Sequence, residues 1–110
     1  MINKMKTPLK FDEYKDYLVL EERDDKRWGN EDNFHYIFMF PNKYGASIIK
    51  HIGSYGYEED LFELAVMFFN GYKWELTYNT PLTDNVIGSL NNEEVLETLE
   101  QIKNLNGGES

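Results

Sequence analysis

The sequence contains no cysteine, which excludes several kinds of chemistry at once. Disulfides, thiolate metal sites and cysteine nucleophiles all need a residue that this chain lacks. The lack of cysteine also fits a reducing compartment, and we expect a cytoplasmic protein. No apolar run approaches the roughly 20 residues of a membrane span, and residues 1–10 lack the apolar core of a secretory signal. We therefore expect no membrane partner.

Basic residues are few: 11 lysines and arginines stand against 20 aspartates and glutamates, which gives a formal charge of −9. Direct binding to the backbone of a nucleic acid needs clustered cations, so we do not expect it here. The same charge is compatible with binding a basic protein surface, including one that normally holds nucleic acid. It is also typical of acidic proteins that simply stay soluble.

Residues 61–78 form the stretch around which the rest of the chain is organised. An Asn70-Gly71 pair between two apolar runs is the strongest short-range signal for a two-residue hairpin turn. The first run is apolar on both faces, which is typical of a strand inside a sheet. The turn sets the register as Phe69 opposite Tyr72, Met67 opposite Trp74 and Ala65 opposite Leu76.

Two further strands are predicted at Phe34–Phe40 and Ala46–Ile52. Strands joined by short connections usually pair as antiparallel neighbours, so the four strands should form a meander. If a five-residue turn joins the strands Phe34–Phe40 and Ala46–Ile52, His35 faces His51. Two imidazoles still need a third ligand to hold a metal, and no pattern supplies one. We therefore expect neither a metal nor a cofactor.

A helix is predicted near each end of the chain. Thr7-Pro8 has the composition of a helix start, and apolar residues at helical spacing extend the N-terminal helix from Pro8 to about Leu20. Asn91 and Glu94 have the spacing of a capping box at the start of the C-terminal helix. The apolar stripe of that helix consists of Val95, Leu99 and Ile102.

The expected fold class is α+β: a four-stranded antiparallel meander sheet with a C-terminal helix packed on one face and an N-terminal helical arm. Residues 34–110 form the α+β body, whereas residues 1–33 form the N-terminal helix and a charged connector, Glu21–Asn33. We expect the body to fold alone and the arm to be separable from it. The arm then either packs on the open sheet face or engages a second protomer or a target.

Candidate binding residues lie in the charged connector and in the turn before the central hairpin. Their carboxylates could contact a basic partner, although such runs are most often solvated. Tyrosine with glycine in a loop makes a rigid contact surface, and aromatic packing at the sheet edge is the alternative. No nucleophile, histidine and acid have a spacing that indicates catalysis, so an enzyme is the least favoured interpretation. The candidates are Glu21, Glu22, Asp24, Asp25, Glu58, Glu59, Asp60, Tyr55 and Tyr57.

Several short motifs resemble those of one group of proteins. They are Tyr44-Gly45-Ala46-Ser47, Tyr55-Gly56, Glu63-Leu64-Ala65-Val66, Thr80-Pro81-Leu82-Thr83 and Val86-Ile87-Gly88. The combination resembles small, uncharacterised phage and prophage proteins of Gram-positive bacteria, over residues 34–105 of this chain. Lys43 stands where that group usually has glycine. The resemblance implies a viral origin and an accessory role, and it carries over no catalytic residue.

The leading hypothesis is a non-enzymatic phage accessory protein that binds a host or phage protein with a basic surface. Its sharpest form is an acidic, anti-CRISPR-type inhibitor whose carboxylates replace phosphates in a nucleic-acid-binding defence complex. One alternative is a nucleotide-like small-ligand binder in which aromatic side chains stack on the ligand. Another is a homo-oligomer that assembles through an exposed sheet edge. The aromatic residues of the small-ligand alternative are Tyr55, Tyr57, Tyr72 and Trp74.

Overall fold

The computed structural model of the protein describes residues 6–24, 33–69, 71, 74–76 and 87–105. Along these residues the chain forms six strands and one α-helix, together with 3-10 helices at Asp12–Tyr17 and Tyr57–Glu59. The elements are β1 (Leu18–Arg23), β2 (Phe34–Met39), β3 (Tyr44–Lys50), β4 (Phe62–Phe69), β5 (Trp74–Leu76), β6 (Ile87–Leu90) and α1 (Asn92–Lys103).

The strands form one antiparallel sheet in the order β1-β2-β3-β4-β5, so each of these strands lies beside its neighbour in the sequence. β6 pairs with the first part of β4, and β5 pairs with the last part of β4 along the same edge. The α+β class and the antiparallel meander are as predicted. The predicted count of four strands is wrong, because β1 and β6 also belong to the sheet.

One face of the sheet carries the hydrophobic core. Side chains alternate between the two faces of a strand, and every second residue of β2 is buried on this core face. Val95, Leu99 and Ile102 of α1 pack against this face and are completely buried. They are the three residues of the predicted apolar stripe. The sheet residues of the core are Phe34, Tyr36, Phe38, Ala46, Ile48, Phe62, Leu64 and Val66.

Both ends of α1 are held by hydrogen bonds. The predicted capping box is confirmed: the Asn91 side chain accepts from the Glu94 N–H, and the Glu94 carboxylate accepts from the Asn91 N–H, each at 2.8 Å. At the other end, the side-chain amide of Asn42 donates to three backbone carbonyls between residues 102 and 105. These bonds satisfy carbonyls that a helix end leaves unpaired. No helix among the described residues is long and apolar enough to cross a membrane.

The predicted N-terminal helix is wrong in type and extent. A 3-10 helix spans Asp12–Tyr17, and the chain then enters β1. In a 3-10 helix, residues three apart lie above one another, and Phe11, Tyr14 and Tyr17 have this spacing. From Leu18 onward, burial alternates with the period of two that is typical of a strand. The start of the predicted charged connector therefore belongs to the sheet.

The N-terminal segment packs on the same face of the sheet as α1. The Phe11 ring meets the rings of Tyr36 and Phe38 edge-on, with centroids 5.5 and 5.4 Å apart, and Leu9 is buried in the same core. One helix about 10 Å wide covers about two strands spaced about 4.8 Å apart. A wider sheet needs a second element on its core face, and the N-terminal segment takes that place rather than the open sheet face.

The predicted register of the central hairpin is wrong by two residues. Phe69 lies opposite Trp74 and Met67 lies opposite Leu76. Gly71 has the positive φ that the Asn-Gly motif implies, at 103°. Because the shift is an even number, Met67 and Phe69 keep their predicted face.

Candidate functional site

Two acidic groups that are distant in sequence lie at the same end of the sheet. Arg23, at the end of β1, lies opposite Phe34, which lies opposite Lys50 at the end of β3. Strands are spaced by about 4.8 Å, so the ends of β1 and β3 are about 10 Å apart. Lys50 in turn contacts Asp60, beside the second acidic group. The carboxylates that we call the acidic end are Glu21, Glu22, Asp24, Glu58 and Glu59.

The turn before β4 presents two of these carboxylates and one tyrosine. Glu58 and Glu59 are exposed, and within the described residues neither carboxylate forms an ion pair. Tyr55 is 69% exposed, whereas Tyr57 is buried at 8% and its ring lies 4.5 Å from the Lys6 Nζ. Of the two predicted tyrosines, Tyr55 faces solvent and Tyr57 is buried beside Lys6 of the N-terminal segment.

Two carboxylates on β1 lie close to an arginine and a histidine. Arg23 Nε lies 3.1 Å from Glu21 Oε2, and His35 Nδ1 lies 3.5 Å from Glu22 Oε1. Asp24 is exposed just beyond the strand. Asp25, the remaining candidate of this group, lies outside the described residues.

Asp60 is partly exposed and is held in place by a group of contacts that we call the Asp60 clasp. The Lys50 side chain is 1% exposed, and its Nζ donates to Asp60 Oδ1 at 2.6 Å and to the Thr7 carbonyl at 2.8 Å. Asp60 also accepts from the backbone N–H and the hydroxyl of Thr7. Burial raises the pKa of the Asp60 carboxyl, but hydrogen bonds from Lys50 and Thr7 outweigh this and hold the pKa below its usual value. The clasp joins the N-terminal segment to the turn.

Internal hydrogen bonds give the turn between β3 and β4 a defined shape. The Ser54 hydroxyl accepts from the His51 N–H and donates to the His51 carbonyl, at 3.1 and 2.7 Å. Gly56 has a φ of 89°, and its carbonyl accepts from the N–H groups of Glu59 and Leu61. A Cβ on Gly56 would lie 2.8 Å from the Ser89 Cα on β6. The backbone of β6 therefore supports the turn from behind.

His35 lies opposite Ile49 and not opposite His51. The predicted five-residue turn is wrong, because Phe40 N–H donates to the Tyr44 carbonyl and leaves only three residues between the strands. Such a turn ends in a left-handed residue, and Lys43 has a φ of 74° at that position. Among the described residues, no three histidine or acidic side chains are placed to hold a metal ion.

The face of the sheet opposite α1 is apolar along its centre, which the sequence analysis did not single out as a site. Its side chains alternate with the core residues and are partly exposed. Both α1 and the N-terminal 3-10 helix lie on the other face. The signal was available in β2 and β4, where both alternating sets of residues are largely apolar. Because no helix among the described residues covers this surface, we call it the open face, and its apolar residues are Leu20, Ile37, Met39, Ile49, Ala65, Met67 and Phe69.

Replacing Gly56 by alanine should distort the turn that carries Glu58, Glu59 and Tyr55. The added Cβ meets backbone at 2.8 Å and the residue has positive φ, so we expect a loss of about 2–3 kcal/mol of unfolding free energy in urea denaturation. Gly53→Ala is the matched control, because Gly53 has a similar φ of 93° but nothing within 4 Å of its Cβ. Equal losses in the two variants would contradict a steric role for β6.

Comparison with protein-family models, with curated proteins and with solved structures found no match to this chain.

Proposed function

We propose that the chain is a non-enzymatic phage accessory protein that binds a partner protein with a basic surface. The observation that carries the proposal is the convergence of two acidic groups, from β1 and from the turn before β4, at one end of the sheet. The motifs shared with phage and prophage proteins, from Tyr44 to Gly88, support the viral origin. The charge of −9 favours a basic partner over a nucleic acid.

The sharpest form of the proposal is inhibition of a nucleic-acid-binding host defence complex. A groove that binds nucleic acid is lined by cations that neutralise phosphates. The carboxylates of the acidic end lie on β1 and in the turn after β3, two strands whose ends are about 10 Å apart, and they would occupy several such cations together. The turn that carries Glu58 and Glu59 is already ordered, so little conformational entropy is lost when it binds. The protein would therefore act by excluding the nucleic acid.

Among the described residues, no observation supports the small-ligand alternative as the two acidic groups support binding to a basic protein. Tyr57 is buried, and the side chains of residues 72 and 74 lie outside the described part of the chain. Of the proposed stacking residues, only Tyr55 is placed at the surface by the described residues.

The proposal predicts which charges matter for the partner. We expect the double variant Glu58→Lys, Glu59→Lys to lower capture of the partner from a lysate of a Gram-positive host about tenfold, which corresponds to about 1.4 kcal/mol. The control variant Glu13→Lys, Glu97→Lys makes the same change in net charge at exposed positions of the 3-10 helix and α1. Quantitative mass spectrometry of the captured proteins measures the difference. Equal losses for both variants would show that net charge, and not the acidic end, attracts the partner.

A further inference from the structure

We propose that the open face binds an amphipathic, basic helix of a partner protein. The proposal rests on the proposed function only in assuming a protein partner, and it concerns a surface that shares Glu22 with the acidic end but does not include Glu58 or Glu59. The helix would lay its apolar stripe on the centre of the face and place its cations beside the carboxylates that border it.

The open face has the dimensions and composition of a helix-binding surface. From β1 to β4 it spans about 14 Å, which exceeds the diameter of about 10 Å of a helix with its side chains. On the opposite face, the sheet already holds a helix of 12 residues. Successive rows of the open face are Leu20, Ile37, Ser47 and Ala65, then Met39, Gly45 and Met67. Methionine side chains adapt to irregular apolar partners.

The charges of the open face determine the kind of partner. One end of the face is a row that runs Glu22, His35, Ile49 and Glu63 across four strands. Among the described residues of this face there is neither a lysine nor an arginine. A second copy of the chain, with its own charge of −9, would bring like charges together. A helix with lysine or arginine beside its apolar stripe is complementary in both charge and hydrophobicity.

Tyr55 extends the surface at this acidic row. Its backbone N–H donates to the Glu63 carboxylate at 2.8 Å, and its Cβ would lie only 2.5 Å from a Cβ on Gly88 of β6. Glu63 alternates with the core residues of β4 and belongs to the open face. Tyr55 is therefore fixed at the border of that face with 69% of its surface exposed. Tyrosine in such a place is a frequent anchor of protein interfaces.

The test uses the full chain and a synthetic leucine-lysine peptide of about 18 residues, with leucine at helical spacing, which is long enough to form an isolated helix. In methyl NMR, we expect the peptide to shift the signals of Met39, Met67, Ile37 and Ile49 and to leave those of Ile48 and Ile102 in the core unchanged. A peptide of the same composition without the spacing, and one with glutamate in place of lysine, should not bind. Binding of either control, or shifts that map to another surface, would overturn the proposal.

Two variants connect binding to the open face. Ile37→Thr with Ile49→Thr should weaken binding of the peptide about tenfold, since threonine keeps the strand propensity and removes apolar surface. Ile52→Thr is the control, because Ile52 is 52% exposed and lies beyond the end of β3. If the mass of the unmodified chain rises with concentration, a second copy of the chain occupies the face. If Ile37→Thr loses as much stability as a substitution in the core, the chain itself covers the face. Either result would refute the proposal. Glu58→Lys with Glu59→Lys should bind the peptide normally, so this proposal and the proposed function can fail separately.

Discussion

A protein that begins at Phe34 is expected to lose cooperative unfolding. Deletion of residues 1–33 removes Leu9 and Tyr14 from the core and uncovers Tyr36 and Phe38, which are completely buried. Burial of one large apolar side chain contributes about 1.5–3 kcal/mol, so the loss of several such contacts approaches the whole stability of a small domain, about 5–15 kcal/mol. Urea or thermal unfolding followed by circular dichroism measures the result.

A single substitution gives a graded version of the same test. Leu9→Ala should cost about 2–5 kcal/mol, as is usual for leucine in a packed core, whereas Lys10→Ala next to it is exposed and should change little. The division into an arm of residues 1–33 and a body of residues 34–110 remains a prediction, and the truncation tests it. A truncated body that unfolds cooperatively, with near-normal stability, would contradict our expectation and support that division.

The second large effect is expected at the Asp60 clasp. Asp60→Asn removes the carboxylate that accepts from the buried ammonium of Lys50, and breaking a buried ion pair in this way costs about 3–5 kcal/mol. We expect a value near 3 kcal/mol, because the Asp60 side chain is 38% exposed and water can replace part of the interaction. Asparagine tolerates the positive φ of 63° at this position, so the substitution tests the charge and not the backbone.

The matched variant for the clasp is Lys50→Met, which keeps a long apolar side chain and removes the buried charge. We expect it to cost less than Asp60→Asn, and we expect the double variant to be more stable than Asp60→Asn alone, as measured in a double-mutant cycle. The pKa of Asp60 is lowered in the folded protein. Its contribution is therefore complete above the ordinary pKa of about 4 and disappears as the pH falls through the lowered value. Asp60→Asn should remove that acid dependence, and an unchanged acid profile would refute the role of the clasp.

Elements with strong local signals were predictable from the sequence. α1 was predicted with its capping box at Asn91 and its buried stripe, because capping and helical spacing are both local properties. The antiparallel order of β2 to β5 followed from short connections. The N-terminal segment was not predictable in the same way, because Phe11, Tyr14 and Tyr17 fit both a helical and a 3-10 spacing and only the width of the sheet decides where they pack.

Registers and the candidate site depended on contacts that local patterns do not contain. The turn between β2 and β3 contains three residues because Phe40 pairs with Tyr44, and this alone separates His35 from His51. The acidic residues of the candidate site were identified from composition, but their convergence at one end depends on the pairing of β1 with β2. The role of Asp60 was hidden because its partner Lys50 is ten residues away and buried.

The most direct test of the proposed function is competition for the captured partner. The partner isolated from the host lysate is titrated with the DNA or RNA that it binds, in the presence and absence of the full chain. We predict that the chain and the nucleic acid exclude each other, and that Glu58→Lys with Glu59→Lys loses this competition while Glu13→Lys with Glu97→Lys retains it. If the partner binds its nucleic acid unhindered while the chain is bound, the carboxylates do not occupy the phosphate sites and the account is wrong.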